Sequence, residues 1–252
     1  MTIQDTEQVK MQYRLLGNSG LKVSVLSLGS WITFGGQSEE ETATECMKAA
    51  YDAGINFFDN AEVYCHGKSE LVMGAALKKF NWPRSTLVIS TKIYWGGSSV
   101  NEIGLSRKHI IEGMNASLLR LGLDYVDLVY AHRPDNHTPM EETVRAFNWL
   151  IENGKAFYWG TSEWSAEQLS DAYRVAEKLN LIGPVMEQPE YNMFHRDRFE
   201  REYAPLYKKH KLGNQTCNAR NNNLVAIGVW YSNWKVQQGN PCRLSTGVQR
   251  RF

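Results

Sequence analysis

Short apolar runs recur along the chain and alternate with longer stretches that carry helix start and stop signals, the pattern of repeated βα units feeding a parallel sheet. The runs at 25–28, 56–58, 87–91, 128–130, 155–159 and 185–188 read as six strands. Between them the helix ends are marked. Ser38-Glu39-Glu40-Glu41 makes a capping box ahead of a helix stopped by Gly54, and Thr138-Pro139-Met140-Glu141 repeats the device, with Pro at the first helical position and Gly154 as the stop. Ser106 opens a helix closed by Gly122, Ser165 with Gln168 opens another, and a sixth helix spans about 197–211. Ahead of the first strand, Gly17-Asn18-Ser19-Gly20 predicts a small hairpin.

Six units are complete by Gly213 at roughly 35 residues each, so closing an eight-stranded barrel would need roughly 70 more, where about 40 follow. The expected fold class is therefore α/β, a (β/α)8 TIM-barrel type with an N-terminal hairpin, incomplete at about six βα units. Its first and sixth strands would have unpaired edges. The stretch "LVAIGVWY" at 224–231 suits one further strand. The expected organisation is a flexible N-terminus over 1–12, the partial barrel over 13–212 and a tail of different character over 213–252.

In such a barrel the C-terminal strand ends converge on one mouth, where the chemistry sits. The second run ends at Asp59 with Tyr64 in the following loop, the third ends at Lys92 and the fourth at His132. Each has a plain reading alone, as a strand terminator, a surface phenol, a solvated lysine and a turn histidine. Together they form a coherent set. An ammonium at Lys92 favours the phenolate of Tyr64 and is expected to bring it into a working range, while Asp59 offsets the cost of burying that ammonium. A neutral imidazole at His132 can donate to a substrate carbonyl oxygen. Such a set suits proton donation to an oxygen as hydride reaches its carbon.

Composition narrows the alternatives. With 252 residues, 42% of them hydrophobic, and a net charge of +1, the chain can bury one sizeable core and has no general electrostatic case for nucleic acid or an anionic membrane. No apolar stretch approaches the ~18–20 residues of a membrane span, so no membrane insertion is expected. The N-terminal sequence lacks the apolar core of a signal peptide, and the four cysteines show no metal-binding spacing, so a cytoplasmic protein without a metal site is expected. Charge is uneven. From Gly213 onward there is no acid but five cations, Arg220, Lys235, Arg243, Arg250 and Arg251.

The motifs "GSWITFGGQ" (29–37), "NFFDNAEVY" (56–64), "STKIYWGG" (90–97), "GLSRKHIIEG" (104–113), "HRPDNHTPMEETVRA" (132–146), "AFYWGTSEWS" (156–165) and "EQPEYNMF" (187–194) give the chain its resemblance to the aldo-keto reductases, within them the potassium-channel beta-subunit branch. The resemblance runs from about Tyr13 to Leu212. It implies a (β/α)8 barrel, NADPH/NADP as cofactor, and reduction of aldehydes or ketones to alcohols. Asp59, Tyr64, Lys92 and His132 match the family's catalytic tetrad, with Tyr64 the general acid. Animal channel subunits often carry Asn at the fourth position, and His here favours turnover. Ser30, Trp31, Gln37, Asp59, Ser162, Glu163 and Gln188 match cofactor-binding positions. The implied partners are a small carbonyl substrate, a potassium-channel cytoplasmic domain and further copies of the chain.

The resemblance stops after "YKKHKLG". The acid-free, Asn-rich sequence that follows matches nothing in the family and reads as a retained intron or a shifted frame. Barrel phosphate sites are built after strands seven and eight, so an inactive truncated splice product and a regulatory channel subunit stand as alternatives to the enzyme. Arg243, Arg250 and Arg251 read as solvated cations in preference to phosphate ligands.

Overall fold

The computed structural model describes residues 10–31, 34–35 and 40–214. An antiparallel hairpin, β1 (Tyr13–Leu15) and β2 (Lys22–Ser24), precedes a parallel sheet of seven strands in chain order. These are β3 (Ser27–Gly29), β4 (Phe57–Asp59), β5 (Val88–Ile93), β6 (Val126–Ala131), β7 (Ala156–Ser162), β8 (Met186–Gln188) and the two-residue β9 (Gly213–Asn214). Helices α1 (Glu40–Asp52), α2 (Lys68–Phe80), α3 (Arg107–Leu121), α4 (Met140–Glu152), α5 (Ala166–Lys178) and α6 (Ala204–His210) connect them in turn. All six expected strands are present. The sixth, β8, is no edge, because β9 pairs with it in parallel register.

The sheet is curled into part of a barrel. Gln188 Nε2 at the end of β8 lies 3.5 Å from Asp59 Oδ2 at the end of β4, whereas four strand spacings in a flat sheet would separate them by about 19 Å. Curling gives every central strand two buried faces. Phe57, Val88, Leu128, Tyr130 and Met186 point into the curl, while Phe58, Ile89, Ile93, Val129 and Trp159 pack against the helices. All six residues of β5 and of β6 are buried, including Ser90, Thr91, Lys92 and Asp127, which interrupt otherwise apolar runs.

The hairpin plugs the lower end. Leu16 and Val23 are fully buried against Phe57, Val88, Leu128 and Val185. Its turn is closed by Leu16 N–H donating to Leu21 O and Ser19 N–H to Leu16 O. The chain enters that turn through Gly17 at φ +56°, where a Cβ would stand 2.3 Å from Val185 O.

Most helix ends follow the expected devices. Ser106 caps α3 through His109 N–H and Gly122 ends it at φ 65°, and Ser165 with Gln168 forms a complete capping box on α5. Two ends differ. Thr138 does not cap α4, because its hydroxyl donates to Asp135 at 2.7 Å and leaves Pro139 as the cap residue. The expected sixth helix is divided into a π-helical turn, Arg198–Glu202, and α6, since Pro205 has no N–H to continue the ladder. Ser38, Gln37 and the expectations for 1–9 and 215–252, including the strand at 224–231, lie outside the described residues. The tail's first residues, Gly213 and Asn214, form β9.

The plug yields a stability test. Gly17→Ala is expected to lower stability by more than about 1 kcal/mol in chemical denaturation. Gly20→Ala, with nothing within 4 Å of the added carbon, should stay within about 0.5 kcal/mol of the parent chain.

Candidate active site

The mouth is organised around one buried ammonium. Lys92 has no solvent exposure, and its three protons are all committed, to Asp59 Oδ2 at 2.5 Å, Asn60 O at 2.8 Å and Tyr64 Oη at 3.1 Å. Asp59 turns its other oxygen to Ser90 Oγ at 2.6 Å. Strand geometry produces this. Asp59 pairs with Ser90 in register and Lys92 stands two residues further along β5 on the same face, one layer nearer the mouth. Tyr64 arrives on a short turn after β4, where Cys65, His66 and Gly67 all take positive φ and redirect the chain into α2.

His132, just past β6, is 6% exposed and meets the Tyr64 ring edge-on at 5.8 Å and the Trp95 ring at 5.0 Å. Its Nδ1 is buried and has no hydrogen-bond partner among the described residues. The four residues expected to form a tetrad therefore stand together.

The expected cofactor residues surround them unevenly. Gln188 reaches Asp59, and Ser162 donates to Gln188 O at 3.0 Å while accepting from Arg133 Nη1 at 3.2 Å. Ser30 is buried with its hydroxyl on Asp59 O at 2.9 Å, and Trp31 is 55% exposed, its ring 6.3 Å from that of Tyr64. Glu163 makes contacts of its own. At φ 61° it directs its carboxylate to Arg198 at 2.6 Å and to the Glu190 N–H, clamping the loop after β8. Gln37 lies outside the described residues.

Ser90, Trp95, Arg133 and Glu187 were not singled out from the sequence. Ser90 had a signal, since it precedes Lys92 by two and shares its face. Trp95 and Arg133 sit inside the quoted motifs beside tetrad residues. Glu187 had none: it is fully buried behind the mouth, where it accepts from Thr161 Oγ1 at 2.5 Å and from Trp164 N–H at 3.2 Å, and burial pushes its carboxyl up to about 8.

The electrostatics correct one expectation. Tyr64 is not brought down into a neutral working range: burial raises its pKa, Lys92 lowers it, Asp59 raises it again, and the net direction is upward. Burial outweighs the ammonium, whose field Asp59 partly offsets. Burial pulls Lys92 down, but Asp59 and Tyr64 more than offset this, so it stays charged. His132 is driven down to about 2 by burial and then by the charges of Lys92 and Arg133, which keeps the imidazole neutral.

The histidine shift has a sign that can be checked. Below pH about 6.5 the unfolded chain takes up a proton that the folded imidazole refuses, so this group's contribution is intact above that pH and is lost progressively as pH falls from there toward about 2. Thermal denaturation should show a larger fall in Tm from about pH 7 to about pH 5 for the parent chain than for His132→Asn. Parallel falls would contradict the assignment.

Known proteins give the same direction. The family model described as Aldo/keto reductase family matches residues 25–220. Two proteins bearing the name probable voltage-gated potassium channel subunit beta, one from Oryza sativa subsp. japonica and one from Arabidopsis thaliana, are each 58% identical over 203 residues. Those residues are 81% of this chain and 62% of each relative, so the chain spans less than two thirds of the proteins it matches. Among the described residues no helix is long and apolar enough to cross a membrane. Curled parallel sheet, converging strand ends and family match agree, and the chain belongs to the aldo/keto reductase family.

Proposed function

We propose that the chain is an NADPH-dependent oxidoreductase that reduces aldehydes or ketones to alcohols. The observation that carries this reading is the pairing of a buried, neutral imidazole, its ring 5.8 Å from that of Tyr64, with a phenol seated on a buried ammonium. A carbonyl oxygen between them would accept from His132 and from Tyr64. The nicotinamide end of the cofactor suits the side chains at the mouth: Ser162 and Gln188 offer polar groups at the ends of β7 and β8, and Trp31 and Tyr64 an aromatic wall. When bound, NADPH would supply the hydride that reaches the carbonyl carbon.

The protein's part is to orient the carbonyl and to deliver one proton. Tyr64 holds that proton firmly because its pKa is raised, and Lys92 stabilises the phenolate left when the proton has gone to the substrate oxygen. An upward phenol suits reduction over oxidation near neutrality, since the donor stays loaded. His132 adds a hydrogen bond without adding charge.

Tyr64→Phe is expected to lower carbonyl-dependent NADPH oxidation by about 10²–10⁴-fold, followed as loss of cofactor absorbance, with NADPH binding by tryptophan fluorescence unchanged. Undiminished turnover in that variant would remove Tyr64 from the role. A second reading follows from the relatives' printed names, that the chain associates with a potassium channel as a beta subunit. Co-purification with a channel cytoplasmic domain tests it, and failure to retain the chain counts against it.

A further inference from the structure

One charge at the mouth has no assigned task. Arg133 follows His132 directly and is half-buried. Its Nη1 is anchored, donating to His132 O at 2.5 Å and to Ser162 Oγ at 3.2 Å, and its guanidinium lies 5.6 Å over the Trp95 ring. Neither Nε nor Nη2 has an acceptor among the described residues. That edge of the fork, with its two parallel N–H groups, is the one that fits a carboxylate bidentately.

The local acids are already engaged. Asp59 holds Lys92, and Glu62 accepts from Tyr94 N–H and pairs with His109. Asp135 binds the amides of Leu105 and His137 and the Thr138 hydroxyl, while Glu163 holds Arg198. Lys92 and Asp59 cancel, so Arg133 leaves the mouth with a net positive charge. That charge is felt at the reacting groups, since Arg133 lowers the pKa of both Tyr64 and His132. Its guanidinium is also held in place before any ligand arrives, by Nη1 and by the indole beneath it, which reduces the entropy lost on binding.

We propose that Arg133 is a specificity-determining residue, whose free Nε/Nη2 edge selects carbonyl compounds that also carry a carboxylate, with Trp31, Trp95 and Tyr64 favouring a flat body between the two groups. The selection of a reducible substrate rests on the reductase reading above; recognition of the carboxylate does not.

The test separates them. The full chain, with and without NADPH, is titrated with 4-formylbenzoate and with its methyl ester, using the fluorescence of Trp95 and its neighbours, and NADPH oxidation is followed with the same pair. The acid should bind about tenfold or more tightly than the ester. Arg133→Leu should erase the preference and Arg133→Lys should keep part of it. Arg133→Gln, which retains an amide donor for His132 O, serves if the leucine variant does not fold. Equal binding of acid and ester, or a preference that survives loss of the guanidinium, overturns the proposal. So does a variant whose only defect is weaker NADPH binding, because the arginine would then serve the cofactor. A chain that prefers the acid, loses that preference with Arg133, and oxidises no NADPH would support the anion site and remove the reductase reading alone.

Discussion

An ammonium sealed from water is the constraint around which this mouth is built. A buried charge is tolerated only where its field and its hydrogen bonds are met, and Lys92 reaches that condition by recruiting a carboxylate, a main-chain carbonyl and a phenol at once. These three come from β4 and the loop behind it, so satisfying the lysine fixes where that loop can run. Tyr64 is placed by this demand. The same arrangement decides the electrostatics, because burial of the phenol outweighs the field of Lys92, which Asp59 partly offsets. What results is a phenol that keeps its proton.

The outer layer solves a related problem between sheet and helices. Glu70 on α2 accepts from Thr91 and Arg120, Glu62 from Tyr94 N–H, Asp127 from Ile89 N–H and Arg84, and Glu187 from Thr161 and Trp164 N–H. Each of these acidic side chains is buried and binds a strand, or the residues just after it, to another part of the chain. Apolar packing is non-directional and would tolerate small slips between units. Buried carboxylates are less forgiving, since a slip would leave an acceptor without a donor.

Much of this was legible in the sequence, for identifiable reasons. Strands buried on both faces announce themselves as largely apolar runs, and strand ends in a curled parallel sheet must face one mouth, which is enough to bring Asp59, Lys92 and His132 together. Side-chain competition was not legible. Thr138 occupies a position whose residue type fits a cap, yet it finds a nearer partner in Asp135, and the pairing of Glu163 with Arg198 has no mark in the sequence either. The break before Pro205 was readable from the missing N–H. The upward phenol was not, because its direction depends on how deeply three charges are buried together. Arg133 is not legible in the sequence, since its anchors on His132 and Ser162 exist only in the folded chain.

The hairpin that plugs the lower end also touches the far end of the described chain. Gly17 stands against Gly213 and the carbonyl of Val185, with so little room that a Cβ on Gly213 would lie 2.8 Å from Gly17 N. The first β-element of the described chain therefore completes its contacts against the last, some two hundred residues later. Such a closure has high sequence separation, and its entropic cost falls late. During synthesis the hairpin can form early but has no finished seat until β9 has left the ribosome, so the chain must hold an open, apolar lower rim for most of its emergence.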